Sequence, residues 1–193
     1  TINKIKEQAD RILALNLSSM ETIMYTYDQV RNRVYKTESE NDSPSKSRDL
    51  SSVLSSEEIV CVGYSNIFQA LLHYMNIRCL NIGLTHKEDE IEAGHRRNII
   101  YVQDQKYDID GVYYFDVTWD SKRKDETNEF LNRYIFFAKT RKQMIEMEKD
   151  CYIYDQCPYY SDDMVSDIKS ILDEEKLFEL NCQYAKSLNY IGD

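Results

Sequence analysis

The chain of 193 residues has few residues that break regular structure and too little positive charge to balance the negative. It contains two prolines, five glycines, and 24 Lys and Arg residues against 34 Asp and Glu residues. The resulting formal net charge of −10 argues against a nucleic-acid partner, because phosphate binding needs a basic surface. No apolar run approaches the ~18 residues of a membrane helix, so we predict no membrane span. A chain of this length predicts one domain over residues 1–193 with its own buried core.

Cysteine and histidine are also scarce, and their spacing argues against a zinc site. The five cysteines include no C-x-x-C pair and no close Cys/His pairing of the spacing that zinc requires, so we predict neither a metal nor a cofactor. An odd number of cysteines leaves at least one thiol unpaired. Cys151 and Cys157 could form a local disulfide outside the cell or stay reduced, and the sequence leaves both states open.

The first residue bears on where the protein works. The chain begins at Thr1 with neither a methionine nor a signal peptide, so we expect an excised domain or a processed product. Its localisation stays open, with secretion or the cell surface as one option. The sequence does not indicate an oligomeric state.

Hydrophobic periodicity predicts helices at the beginning of the chain. Residues 2–15 have apolar side chains at helical spacing, and Ser18 with Glu21 makes a capping box for a second helix. We assign both to an N-terminal helical segment, residues 1–36. Eight of the twenty residues at 37–56 are serine, which predicts a loop that could border a functional site.

The middle of the chain predicts strands. A helix is expected to start near Cys61, and β-branched and aromatic residues then predict three strands, at 78–84, 98–103 and 112–118. Asp110 and Gly111 are predicted to form a turn or bulge between the last two strands. We assign residues 57–145 to a core and 146–193 to a C-terminal helical segment, with helices near 139–149 and 163–180. Helices at the ends around consecutive strands predict an α+β fold with an antiparallel sheet.

Three short clusters in the core contain residues that are rare elsewhere in the chain. They read VCVGYS at 60–65, GHRRN at 94–98 and YFDVTWD at 114–120, and they include one of the three histidines and the single tryptophan. A cysteine at a helix start, then a histidine, then an aspartate, is an order that can assemble a thiol nucleophile, its base and the group that orients the base.

The clusters resemble those of the transglutaminase-like cysteine enzymes of bacterial type, in the papain-like superfamily. That family has V-C-x-G-Y followed by Ala or Ser, then G-H-x-x-N, then D-V-T-W-D. The resemblance runs over about residues 18–145 and includes an aromatic stretch at 134–137. It implies a transglutaminase-like fold with helices packed on an antiparallel sheet and the nucleophile at a helix N-terminus. It also implies Cys61, His95 and Asp116 as the catalytic residues.

Two positions depart from the family's pattern. Ile59 and Val60 stand where its members usually have a glycine before the cysteine, and Arg97 stands where they commonly have an aromatic residue after the histidine. Both changes concern the shape of the substrate groove. We therefore list Arg97 as a candidate substrate-binding residue, together with Tyr64 beside the nucleophile and Trp119 as a core or wall residue.

The residues themselves indicate how the catalytic side chains would meet. The positive end of a helix dipole beneath Cys61 favours the thiolate form. His95 is expected just before one strand, and Asp116 at the end of the next. In a hairpin centred between Gln105 and Lys106, residues 95 and 116 are directly opposite and share a face of the sheet.

The chemistry predicted for this set is acyl transfer through a thioester. His95 would take the proton of Cys61, the thiolate would attack an amide or peptide carbonyl of a protein or peptide substrate, and Asp116 would hold the imidazole. The backbone N–H of Cys61 and a second donor would bind the oxyanion. The sequence does not identify that second donor.

Two other functions stay open beside hydrolysis. A lysine amine in place of water would make the protein a cross-linking transglutaminase, and the family it resembles includes hydrolases, cross-linking enzymes and inactive scaffolds. The polar loop at 37–56 and Arg97 in place of an aromatic residue favour a wet groove, and therefore hydrolysis. The acidic surface and the sixteen tyrosines would instead suit a non-catalytic protein-binding module.

Overall fold

Helices precede and follow a run of three consecutive strands that form an antiparallel sheet, as the sequence predicts for an α+β fold. The computed structural model describes residues 2–35, 50–56, 58–86, 94–121, 134–148, 152–153 and 184. In chain order, their elements are α1 (Ile2–Leu13), α2 (Ser19–Arg31), β1 (Val34–Tyr35), α3 (Leu50–Val53), β2 (Glu58–Ile59), α4 (Cys61–Tyr74), β3 (Cys79–His86), β4 (His95–Asp104), β5 (Ile109–Phe115), α5 (Arg141–Glu148) and β6 (Tyr152–Ile153). None of the helices within these ranges is long and apolar enough to cross a membrane.

The start of α2 has the capping box that the sequence predicts. Ser18 Oγ accepts the Glu21 N–H at 3.4 Å, and the Glu21 carboxylate accepts the Ser18 N–H at 2.9 Å. Each bond satisfies a backbone donor near the helix start that has no intrahelical acceptor. The cap therefore fixes the residue at which α2 begins.

Three long strands and the short β6 form the main sheet, in the order β5-β4-β3-β6 with antiparallel neighbours. β4 and β5 make a hairpin whose last pair, Asp104 with Ile109, encloses a four-residue loop. Asp108 in this loop has a φ of 52°, a left-handed conformation that aspartate tolerates better than most residues. Asp104 Oδ1 also accepts the Lys106 N–H at 2.9 Å, which stabilises the turn.

The register of this hairpin differs from the predicted one. The ladder pairs Asn98 with Phe115, so its continuation places Asp116 opposite Arg97 rather than opposite His95. The centre of the hairpin lies one residue further along the chain than predicted, because Asp108 adopts the left-handed turn. Asp116 is thus two residues away from its predicted pairing position on β4. Because side chains alternate along a strand, a shift of two residues leaves a side chain on the same face of the sheet. His95 and Asp116 therefore still lie on the same face.

Three further predictions about secondary structure were wrong in part. Gly111 lies inside β5, paired with Val102, because the turn is made by residues 105–108 and needs no glycine. Residues 50–53 of the predicted serine-rich loop form α3. Residues 152–153 of the predicted C-terminal helical segment pair with β3 as β6. The predicted helix at 163–180 lies outside the described residues, as do Cys151 and Cys157.

The sheet packs against helices on both faces. On one face, α1, α2 and α4 share a core with residues of β4 and β5 such as Ile100 and Phe115. On the other face, Met144 of α5 packs with Ile99 and Tyr114. Alternation along β4 places His95 and Arg97 on the same side as Ile99. The candidate site therefore lies at the end of the sheet where α4 begins and α5 ends.

Candidate active site

Cys61 is the first residue of α4, at a helix start without a side-chain cap. β2 leads directly into this helix, and the N-cap residue Val60 makes no side-chain hydrogen bond. Backbone N–H groups and the positive end of the helix dipole therefore lie next to the thiol. The thiol of Cys61 is partly exposed, whereas that of Cys79 in β3 is buried; neither is in a disulfide.

Hydrogen bonds from both sides hold the first two turns of α4. The Tyr64 hydroxyl donates to the Arg33 carbonyl oxygen at 2.7 Å, and Asn98 Nδ2 on β4 donates to the Ser65 carbonyl oxygen at 3.1 Å. The Arg33 guanidinium donates in turn to two backbone carbonyls in and just after α3, at 2.7 and 2.6 Å. These contacts fix the N-terminus of α4, and with it Cys61, relative to β4.

His95 and Asp116 form a buried pair at the end of the β4–β5 ladder. His95 Nε2 lies 2.6 Å from Asp116 Oδ2, and the Asp116 side chain is fully buried. Asp116 Oδ1 accepts the Trp119 backbone N–H at 3.1 Å. Because Nε2 is bound to Asp116, Nδ1 is the ring nitrogen that remains for the hydrogen bond between His95 and Cys61.

Opposing effects act on the pKa values of the three groups. Burial raises the pKa of the Cys61 thiol, but the hydrogen bond and charge of His95, with the backbone N–H groups of Arg96 and Val62, hold it below its usual value. Burial lowers the pKa of His95, but the Asp116 carboxylate raises it to about 9. Burial raises the pKa of Asp116, yet the neighbouring positive charges of His95 and Arg97 hold it below its usual range. Together these shifts favour a thiolate facing an imidazolium.

Cys79 provides a contrast within the same chain. Burial raises the pKa of its thiol to about 12, which the hydrogen bond from Asn98 only partly offsets. A thiol of this kind is protonated and unreactive at neutral pH. His73 also has a structural contact here, because its Nε2 lies 2.7 Å from the Cys79 carbonyl oxygen.

Two of the three candidate substrate-binding residues are fully buried. Tyr64 has no exposed surface, and its hydroxyl is bound to the backbone of Arg33. Arg97 also has no exposed surface; its Nη2 lies 3.4 Å from Asp116 Oδ2 and donates to the two carboxylate oxygens of Glu148, at 2.9 and 2.6 Å. Arg97 is opposite Asp116 in the continuation of the ladder, so its side chain points to the face covered by α5. Glu148 of α5 supplies the negative charge there. Both side chains are therefore closed to solvent in this structure.

Trp119 is the one candidate substrate-binding residue with an exposed surface. Its side chain is 37% exposed, and its ring centroid lies 6.0 Å from that of His95 in an edge-to-face arrangement. The indole also contacts the Phe136 ring, at 5.6 Å between centroids. Trp119 therefore lies beside the imidazole with part of its surface exposed.

Asp120 makes structural contacts next to the His95–Asp116 pair. Its carboxylate accepts the Phe136 N–H at 3.0 and 3.1 Å and lies 2.7 Å from the Tyr27 hydroxyl, which is also 2.9 Å from the Asp116 carbonyl oxygen. Burial, which outweighs these hydrogen bonds, raises the pKa of Asp120 well above its usual value. Tyr27 thus connects α2 to the segment that carries Asp116.

Sequence reasoning did not assign roles to Tyr27, Asn98 or Glu148. Asn98 belongs to the GHRRN cluster, so its presence there was the one available signal. Tyr27 lies on the buried face of α2, and its partner Asp120 is 93 residues away. Glu148 is 51 residues from Arg97, and no local pattern connects the two.

The fold and the site together define an α+β protein with a partly exposed thiol at a helix N-terminus beside a buried His–Asp pair. A scan against models of protein families finds no match, and no curated protein matches the chain. Among the described residues, no group of three or more His, Cys, Asp and Glu side chains is arranged to hold a metal ion. Any assignment of function therefore depends on the chemistry of the site itself.

Proposed function

We propose that the protein is a cysteine-dependent acyl-transfer enzyme of the transglutaminase-like kind, acting on amide or peptide bonds. In this proposal Cys61 is the nucleophile, His95 is the general base and acid, and Asp116 orients the imidazole. The observation that carries it is the position of His95, which is held by Asp116 at 2.6 Å through Nε2 and hydrogen-bonded to the Cys61 thiol. A nucleophile, a base and an orienting carboxylate in sequence are the components of a catalytic triad.

The first half of the reaction forms a thioester. The Cys61 thiolate attacks the carbonyl carbon, and the imidazolium of His95 gives its proton to the departing amine as the carbon–nitrogen bond breaks. In the second half, neutral His95 takes a proton from the acceptor, which attacks the thioester and releases Cys61. Asp116 accepts the Nε2–H bond throughout and stabilises the charged imidazole.

Backbone dipoles at the start of α4 support the tetrahedral intermediate. The N–H groups of Val62 and Arg96 contact the sulfur of Cys61, one from the helix and one from β4. Once the sulfur is acylated, they and the N–H of Cys61 are fixed donors close to the developing oxyanion. Fixed donors stabilise such a charge without having to reorganise during the reaction.

Water is the proposed acceptor of the acyl group. Arg97 was expected to make the groove wet, but its side chain is fully buried and no longer supports that expectation. The remaining support is that Cys61 is partly exposed, because an acyl-enzyme open to water at roughly 55 M is hydrolysed unless an amine is held close to it. Cross-linking is the second candidate, and Trp119 favours it, since an indole beside His95 can shield the thioester.

The acyl acceptor can be identified by mass spectrometry. The protein is incubated with a glutamine-containing protein and an excess of a primary amine, and Cys61→Ser serves as the inactive control. We expect peptide cleavage or deamidation that the control lacks. Amine incorporation without either product would make the protein a transferase and contradict the hydrolase proposal. Identical spectra for the wild type and Cys61→Ser on a panel of such substrates would contradict both forms of the proposal.

A further inference from the structure

We propose that Arg97 is a positioning residue of the site, holding Asp116 as an anion beside His95, and that Glu148 at the end of α5 holds Arg97 in place. This inference depends on the proposed role of the Cys61–His95 pair. It assigns a part in the chemistry to two residues that do not contact the substrate.

Four charged groups are arranged in a row inside the protein. His95 Nε2 is 2.6 Å from Asp116 Oδ2, Arg97 Nη2 is 3.4 Å from the same oxygen, and Glu148 Oε2 is 2.6 Å from that guanidinium nitrogen. The side chains of Asp116 and Arg97 have no exposed surface, and those of His95 and Glu148 are 7% and 5% exposed. With His95 protonated, the charges alternate along the row, so each buried ion has an opposite neighbour.

The row matters most when His95 is neutral. The proposed reaction requires His95 to lose and regain its proton in each cycle, and at that moment the imidazolium no longer compensates Asp116. Arg97 then remains as the positive neighbour of a carboxylate with no access to water. Without it, a buried carboxylate would favour its protonated form and would stop acting as a charged partner for the imidazole.

Glu148 prevents Arg97 from acting too strongly on His95. The positive charge of Arg97 opposes the protonation of His95, which is raised chiefly by Asp116. A carboxylate bound through both oxygens to the guanidinium offsets this opposition. Glu148 therefore lets Arg97 keep Asp116 ionised while lowering the pKa of His95 only slightly.

The other groups around the row come from three elements. Cys61 on α4 faces the imidazole, and on the far side of Asp116 lie Asp120 and Tyr27, the latter from α2. From β3, the residues paired with Arg97 and His95 are the apolar Ile82 and Leu84.

The test follows the titration of the His95 imidazole by NMR in the full chain, where three histidines make assignment simple. Glu148→Gln leaves Arg97 uncompensated, so the midpoint of His95 should fall by about one pH unit. The double variant Arg97→Met with Glu148→Met removes the positive neighbour of Asp116 together with its partner, so Asp116 should take up a proton when His95 is neutral and the midpoint of His95 should fall. Replacing a buried ion pair by apolar residues of similar volume usually leaves a folded protein, which keeps the test usable if Glu148→Gln is unstable.

Glu146→Gln is the matched control, because Glu146 is an exposed carboxylate on the same helix. It should leave the midpoint unchanged. A lower midpoint in both test variants supports the inference, because a purely structural Arg97 would leave Asp116 charged and its removal would raise the midpoint. Unchanged midpoints, or a midpoint that rises in the double variant, would overturn it. If Cys61 alkylation in the wild type is no faster than that of Cys79, the proposed function fails instead, so the two failures are distinguishable.

Discussion

Asp116 combines complete burial with three polar contacts to its carboxylate and further hydrogen bonds to its backbone, and this combination decides what it can do. Its two carboxylate oxygens meet the imidazole of His95, the guanidinium of Arg97 and the backbone N–H of Trp119, and its carbonyl oxygen meets the Tyr27 hydroxyl. Rotation of the carboxylate would break these contacts, so its orientation toward His95 is fixed. It therefore fixes the imidazole in the tautomer with Nε2–H, which leaves Nδ1 for Cys61.

Asp116→Asn tests this assignment. An amide can donate a hydrogen bond to Nε2 and so favour the wrong tautomer of His95. We expect turnover to fall by about three to four orders of magnitude while the folded structure persists. The measurement is kcat on whichever amide substrate the acceptor experiment identifies, with circular dichroism to verify the fold.

Asp120→Asn is the matched control for this substitution. Asp120 is also buried, but its carboxylate contacts Tyr27 and the backbone of Phe136 rather than the imidazole. We expect turnover close to that of the wild type. A larger loss in Asp120→Asn than in Asp116→Asn would transfer the orienting role to Asp120.

The helices and strands bring these side chains together through contacts between their ends. α2 contacts the segment that carries Asp116 and Asp120. Its Tyr27 hydroxyl contacts both residues, and its Arg31 Nε donates to the Asp120 carbonyl oxygen at 2.9 Å. α4 supplies Cys61 from its first residue, and the β4–β5 hairpin supplies His95 and Asp116. The site therefore depends on where each element begins or ends.

The capping box of α2 is a local feature that can be tested separately from the chemistry. Ser18→Ala removes the side-chain acceptor for the Glu21 N–H, so we expect the free energy of unfolding to fall by about 1 kcal/mol. Urea denaturation measures the change. Ser19→Ala is the control, because Ser19 is exposed and lies inside the helix, and it should change stability by much less. Equal losses in the two variants would show that the box contributes nothing to stability.

The features that the sequence predicts correctly are those that nearby residues determine. The start of α2 follows from Ser18 and Glu21, and the start of α4 at Cys61 follows from apolar residues at helical spacing after it. The hairpin register was wrong because the choice of turn depends on Asp108, whose left-handed backbone has no unique mark in the sequence. Sequence alone favoured Gly111, a more usual turn residue.

The role of Arg97 could not be predicted because it depends on the whole molecule. Its partner Glu148 is 51 residues further along the chain, in α5, which packs on the face of the sheet opposite α4. A sequence pattern shows only that an arginine replaces an aromatic residue near His95. The packing of α5 on that face turns the arginine into part of a buried row of charges instead of a surface of the groove.

The central claim is that the assembled protein makes one thiol reactive and leaves another inert. The most direct measurement is the rate at which iodoacetamide modifies Cys61 and Cys79 in the folded protein at neutral pH, followed by peptide mass spectrometry. We predict that Cys61 reacts at least about tenfold faster than Cys79, and that His95→Ala slows Cys61 by removing its base. Equal rates at the two cysteines, or a Cys61 rate that His95→Ala does not change, would contradict the account.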